Sequence, residues 1–433
     1  MKFLQRKLQK SRRLAILQSK CSIWTPRNSI INNVKRAHRR FDTHYISSMN
    51  IQSYGKDNLY PQRMLSLILN SPTGGTCCEL YERFIEGDGL KDKFFGDFVC
   101  NRHGDTVSDI LHLIAVDLAH FHGFALHVNY NMMGEIVEIQ HMLFEGCRLE
   151  EEDDLGRVAH IKYHPDWTGK KTRNGKRIEI TDANVREFFV FNTNQEVVLD
   201  QIETCGGIDK YQGQVLWYSM DGRFVYPKPK YDKIVTALST DDGIDNVKYR
   251  NVRNNFLVAG MLIHKKAVSL GIDPTTGLEA KNNDGGEEFS QNLDIFQGDT
   301  NACSIMDVTV NAEEDIPKFE KLESQNFDSK FTVTETSTVE RIYAAFGQEP
   351  FYCIRIGKLG FSGTTINDAF AYYNSYVEKE RKEISRVFAK VFSKWDMRDN
   401  EGKPVCPSED YSILPVKHIS NESTDDKDRH SKA

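Results

Sequence analysis

Behind Thr106 the apolar residues Val107, Ile110, Leu111, Ile114, Leu118 and Phe121 recur at helical spacing and form one hydrophobic face. Thr106-x-x-Asp109 ahead of them reads as a capping box, and Gly123 is expected to stop the helix. Phe124, Leu126, Val128 and Tyr130 then alternate with Ala125, His127 and Asn129, which is strand spacing. A turn at residues 131–134 leads to a partner strand around residues 136–141. The pattern predicts a helix followed by a β-hairpin.

Upstream, Tyr60-Pro61 opens a helical run through Met64, Leu65, Leu67, Ile68 and Leu69, and a Ser-Pro-Thr-Gly-Gly break is expected at residues 71–75. A second helix over residues 76–86 ends at Gly87-Asp88-Gly89. Residues 146–226 have the texture of short strands, chiefly 161–164, 188–191 and 215–218. Pro227 and Pro229 mark a boundary before a long helical region that runs from Tyr231 toward Val258, with a thin apolar stripe. Residues 277–292 read as a loop and residues 312–330 as irregular. Thr365-x-x-Asp368 is expected to cap a last long helix, in which Ile366, Phe370, Tyr373, Val377, Ile384, Phe388, Val391 and Trp395 form a seam with one polar slot at Glu380 and Arg381. Beyond about Lys417 the chain is polar. The class is α+β.

Composition adds a core and a compartment. Of 433 residues 39% are hydrophobic, enough for substantial burial. No apolar window of about 18 residues offers a bilayer span, and the N-terminus lacks a secretory h-region, so a soluble chain without a membrane partner is expected. The nine cysteines include no CxxC pair, which fits free thiols.

Charge changes the picture more. Residues 1–40 hold twelve bases and no acid: Lys2, Arg6, Lys7, Lys10, Arg12, Arg13, Lys20, Arg27, Lys35, Arg36, Arg39 and Arg40. From totals of 56 bases and 62 acids, the remainder keeps 44 bases against 62 acids, a balance of −18. A basic arm precedes an acidic body. Such arms meet nucleic acid or an acidic protein surface, or remain solvated tails.

Catalytic constellations are hard to find. His112, Asp117, His120 and His122 are the nearest to a metal-ligand set, but His112 and His120 lie eight apart and His122 stands at the helix end. Residues 73–78 (TGGTCC) lack the lysine of a phosphate loop. There is no GxSxG, HExxH or kinase set. No cofactor, metal or catalytic residue is expected.

Several phrases taken in order resemble the portal proteins of tailed bacteriophages, especially those of phages of gut Bacteroidetes. They are Tyr54-Gly55-Lys56-Asp57-Asn58-Leu59-Tyr60-Pro61; Asn70-Ser71-Pro72-Thr73; Phe84-Ile85-Glu86-Gly87-Asp88-Gly89-Leu90; and the hairpin from Gly123 to Ile136. Tyr226-Pro227-Lys228-Pro229-Lys230-Tyr231, Asn254-Asn255-Phe256 and Phe296-Gln297-Gly298-Asp299-Thr300-Asn301 follow. The last is Ile342-x-x-Ala345-Phe346-Gly347-x-x-Pro350, where Glu349 precedes one proline and many portals have two. The order and spacing carry the resemblance, over residues 50–395.

The resemblance implies a non-enzymatic ring of about twelve copies around a DNA channel at one capsid vertex of the virion. Assembly would take place in the host bacterial cytoplasm. The implied partners are the chain itself, double-stranded DNA, the terminase motor, a head-completion or adaptor protein, and the major capsid or scaffold protein. It also implies an architecture: basic arm 1–45, wing 46–165, β-rich clip 166–228, stem helix 229–262, wing return and channel-loop region 263–363, C-terminal crown helix 364–398 and polar tail 399–433. Lys233, Lys248, Arg250 and Arg253 on the stem are candidates for weak phosphate contact, against ordinary intersubunit ion pairing. Arg6, Lys7, Lys10, Arg12, Arg13, Lys35, Arg36, Arg39 and Arg40 are the candidate contacts of the arm. Two other readings are a metal-dependent nucleic-acid enzyme and a DNA-binding accessory protein acting through the arm.

Overall fold

The computed structural model describes residues 42–153, 157–169, 180–255, 260–265, 268–272, 279–282, 305–310, 327–360, 362–398 and 401–417. The basic arm at residues 1–40, Phe256 at the end of its phrase, and the phrase at residues 296–301 lie outside the described residues. The fold is α+β and divides into two compact units, Met1–Val235 with Glu340–Ala433, and Thr236–Val339.

The first unit opens with a short ladder, β1 (Tyr45–Ile46) against β2 (Ile51–Gln52), then α1 (Tyr60–Asn70) and α2 (Pro72–Glu86). The expected break at residues 71–75 shrinks to one residue. Ser71 caps α2, its hydroxyl accepting from Gly74 N at 3.0 Å, and Pro72 occupies the first turn, where its missing N–H loses no bond. After α3 (Lys93–Gly96), α4 (Val107–Phe121) carries the full capping box between Thr106 and Asp109.

Helix α4 is stopped by His122, not by Gly123. His122 adopts the left-handed conformation at φ 63° and Gly123 already begins β3 (Gly123–Tyr130). Gly123 is needed for a different reason: a Cβ there would lie 2.6 Å from the Tyr218 carbonyl oxygen and 2.9 Å from the Phe144 ring.

Next come β4 (Ile136–Met142), β5 (Cys147–Leu149), β6 (His160–Tyr163), β7 (Arg186–Val190), α5 (Gln195–Cys205) and β8 (Gln214–Ser219). All six strands from β3 to β8 form one sheet in the order β4-β3-β8-β7-β6-β5. Only β7 and β8 run parallel, and a parallel pair needs a crossover, which α5 supplies. Strands on both sides of residue 165 thus share one sheet. One core cluster lies against this sheet and includes Phe121, Ala125, Phe144, Cys147, Ile161 and Val215. Phe144 stacks on Trp217 at 4.2 Å.

Unit two holds most of α6 (Val235–Asn255), then β9 (Gly260–Lys265), β10 (Val268–Ile272), β11 (Glu279–Asn282), β12 (Ile305–Val310) and most of α7 (Phe327–Ala345). Strands β9 and β12 pair in parallel, and β10 and β11 pair antiparallel. Strand β11 falls inside the expected loop 277–292, and residues 327–330, expected to be irregular, begin α7.

The chain returns to unit one through α8 (Glu349–Arg355), α9 (Gly363–Tyr376) and α10 (Glu378–Phe392). The single long helix expected from Thr365 is therefore two. Its cap is Ser362, whose Oγ accepts from Thr365 N at 3.2 Å. The break at Val377 contains no glycine or proline. Arg381 instead donates from Nη2 to the Asn374 carbonyl at 2.6 Å and from Nη1 to the Phe84 carbonyl at 2.8 Å. The polar slot is a buried fastener. Residues 401–417, expected in a polar tail, also join the fold: Leu414 N bonds to Gly89 O at 2.8 Å, and Ile413 and Val416 are buried.

Candidate functional site

Two phrases of the sequence far apart in the chain meet in the first unit. Residues 54–60 fold into a tight loop, with Gly55 and Asn58 both at positive φ. Residues 226–232 lead into α6. Tyr54 stacks on Tyr226 at 4.1 Å and donates its hydroxyl to Pro227 O at 2.7 Å. Tyr226 donates to Gln52 O at 2.6 Å and accepts from Leu149 N at 2.8 Å. Tyr60 donates to Asp232 at 2.6 Å.

Arg148, on β5, lies at the centre and is fully buried. Its guanidinium donates to Asn58 O (2.6 Å), Glu145 O (2.9 Å) and Cys147 O (2.7 Å), and it stands 4.8 Å from the Trp167 ring. Main-chain carbonyls, not a carboxylate, supply most of these partners. Burial draws its pKa down to about 10, so the group remains charged at neutral pH. One faint sign of it is legible in the sequence, a lone charge between Cys147 and Leu149 on an otherwise apolar strand.

A second knot lies at residue 380. Glu380 is buried, accepts from Lys230 Nζ at 2.9 Å and from the Tyr81 hydroxyl at 2.7 Å, and Lys230 packs on the Tyr81 and Tyr376 rings at 4.1 and 4.4 Å. Burial resists ionisation of Glu380, but Lys230 and Tyr81 outweigh it and hold the carboxyl below the usual range. His122 is pushed down to about 4 by burial and by the charge of Lys230, so it is neutral at pH 7.

The chemistry these groups offer is cohesion. Burial raises the hydroxyl pKa of Tyr54, Tyr60 and Tyr226 far above neutrality, and raises the thiols of Cys78, Cys100 and Cys147 likewise. The four candidate metal ligands go to four places. His112 contacts Glu86, His120 contacts Val116 O, Asp117 contacts His141 at 2.7 Å, and His122 caps α4. Among the described residues no three His, Cys, Asp or Glu side chains converge as metal ligands, and no helix is long and apolar enough to cross a membrane. All seven described cysteines are free.

Lys233 lies in the 3-10 turn Lys230–Ile234 ahead of α6. Lys248 lies on α6 and pairs with Glu335 of α7, within unit two. Arg250 and Arg253 follow on the same helix. The arm cations, Arg6 through Arg40, lie outside the described residues.

No protein-family model matches the chain, and no curated protein does. Solved structures with a similar arrangement include a chain of the virion of a native gene transfer agent particle, with TM-score 0.39 and 12% identity over 76% of this chain and 79% of that one. Another belongs to the neck of the native particle computed with C12 symmetry, with TM-score 0.40 and 11% identity over 77% and 80%. A third belongs to the neck of the empty particle computed with C6 symmetry, with TM-score 0.38 and 12% identity over 77% and 80%.

Proposed function

We propose that this chain is a portal subunit, which assembles into a ring-shaped DNA channel at a capsid vertex and serves as docking site for a packaging motor and head-completion proteins. The observation that carries the reading is the convergence around Arg148: the phrases at residues 54–61 and 226–231, which resemble portal segments, are joined by the Tyr54–Pro227 and Tyr226–Gln52 hydrogen bonds. In this reading the strands of residues 166–228 complete the wing sheet. Unit two, two long helices bracketing short strands, takes the stem and clip roles. The acidic balance of the body suits a conduit for duplex, which carries one phosphate charge per ~1.7 Å and slides past walls that do not bind it.

Negative-stain imaging and native mass spectrometry of the full chain test the reading. Closed rings are expected, and removal of residues 1–40 leaves them intact. A monomer at high concentration, or metal-dependent cleavage of plasmid DNA, overturns it.

A further inference from the structure

Beside the Tyr54 loop a cavity of about 490 Å³ opens between α1 and the segment leading to α6. Its walls are apolar: Tyr54, Tyr60, Met64, Leu67, Phe224 and Val225. The rim carries three cations, and each faces an acid. Lys56 lies 3.8 Å from Asp42, Arg63 lies 2.9 Å from Asp57, and Lys228 lies 3.7 Å from Asp232. Three positive and three negative charges leave the mouth neutral, so it offers no net attraction to a phosphate or a polybasic segment. It fits an uncharged apolar side chain. One wall group also asks for a polar partner: Thr43 Oγ1 is buried with no hydrogen-bond partner among the described residues. A peptide main chain entering beside Thr43 would supply one.

The chain itself enters at this place. Asp42 and Thr43 are both wall residues, and 41 residues precede them. Between Lys20 and Lys35 only Arg27 is charged, and this stretch holds Ile23, Trp24, Pro26, Ile30, Ile31 and Val34. Phe41 is nearer, but Arg39 and Arg40 adjoin it, and seating it would bring two further cations to a rim whose own are already matched. Trp24 has the flat apolar surface to lie against the tyrosine walls, which are stacked on each other at 5.4 Å (Tyr54–Tyr60).

We propose that the cavity is the seat of Trp24 from the same chain's N-terminal arm, which fixes the apolar middle of the arm on the body and leaves its basic ends for other partners. The 17 residues from 25 to 41 tether the tryptophan to the rim. Such a tether gives an effective concentration on the order of millimolar, which a free, unassembled copy does not match, and the labels in the test below separate the chain's own cavity from that of a ring neighbour.

The test places the photo-reactive benzoylphenylalanine at position 24 of the full chain and maps the adducts by mass spectrometry in a mixture of unlabelled and ¹⁵N-labelled copies. Adducts within residues 54–67 or 224–235, each carrying a single label, are expected. Adducts elsewhere, adducts joining two labels, or no adduct at all overturn the proposal. In a second variant Leu67→Arg sets a charge in the wall, and the adduct yield is expected to fall at least about tenfold, the loss that about 1.4 kcal/mol of lost seating gives. An unchanged yield overturns the proposal, and should this variant fail to fold, the adduct map decides alone.

Discussion

The Tyr54 hydroxyl donates to the Pro227 carbonyl oxygen at 2.7 Å, across 173 positions of sequence. The bond is buried, and Pro227 belongs to the segment that leads into α6, so the loop of residues 54–60 and the approach to the helix are held as one piece. Tyr54→Phe keeps the ring on Tyr226 and leaves the carbonyl without its donor. A buried carbonyl in that state costs about 1–3 kcal/mol. The urea midpoint is expected to fall accordingly. A midpoint equal to that of the parent would mean that another donor takes over and that the bond does not hold the junction.

Gly87 passes beneath the returning C-terminal segment so closely that a Cβ would lie 2.0 Å from the Leu414 carbonyl oxygen, and its φ is 69°. Gly87→Ala is expected to push residues 412–416 off, with a loss of more than about 2 kcal/mol. Gly89 has φ 82° and open space around it, so Gly89→Ala meets only the backbone strain, about 1–2 kcal/mol. Hydrogen exchange at Leu414 N reads the difference: it should accelerate far more in the first variant, and equal rates would refute the steric argument.

Local pattern made the α4 helix and the β3–β4 hairpin legible, because cap, periodicity and turn all lie within a few residues of each other. Non-local features were not. The parallel pairing of β7 with β8 makes α5 necessary, yet nothing local to residues 195–205 announces that pairing. Arg381 reads as a polar interruption of a seam until its bonds to Asn374 and Phe84 are seen. The same holds for the candidate site: Arg148 takes its meaning from Asn58, 90 positions away. Residues 412–416 carry Ile413, Leu414 and Val416, but so short an apolar run inside a polar stretch gives no period to read, and it is ordered by backbone bonds to residues 88–91.

Arg148→Met removes the donors that serve the Asn58, Glu145 and Cys147 carbonyls while keeping much of the volume. The buried Cys147 carbonyl and the half-buried Asn58 carbonyl then lose this donor, while Glu145 O keeps Gln62 Nε2 at 3.1 Å, and a loss of about 2–4 kcal/mol is expected. Arg148→Lys is expected to recover only part of it, since an ammonium is a point donor and cannot span the fork. Thermal unfolding of both variants gives the answer. Full recovery by lysine would mean that charge, not the planar donor array, is what the site needs.

The last prediction concerns pH. Asp117 is buried on α4, bonded to His141 at 2.7 Å, and burial pushes its carboxyl up to about 6 from an ordinary 3.8, in spite of the favourable contact with His141. Between those two values the folded protein holds a proton that the unfolded chain has released. Its contribution to stability is therefore complete below about pH 4 and is lost as the pH rises through about 6, a change on the order of 2–3 kcal/mol. Asp117→Asn keeps an acceptor for His141 and cannot titrate. Relative to the parent, the variant should gain stability between pH 4 and pH 7, read as urea midpoints at several pH values for both proteins. Parallel profiles across that window would show that the Asp117 carboxyl ionises in the folded state as freely as in water, and would remove burial as the dominant influence on it.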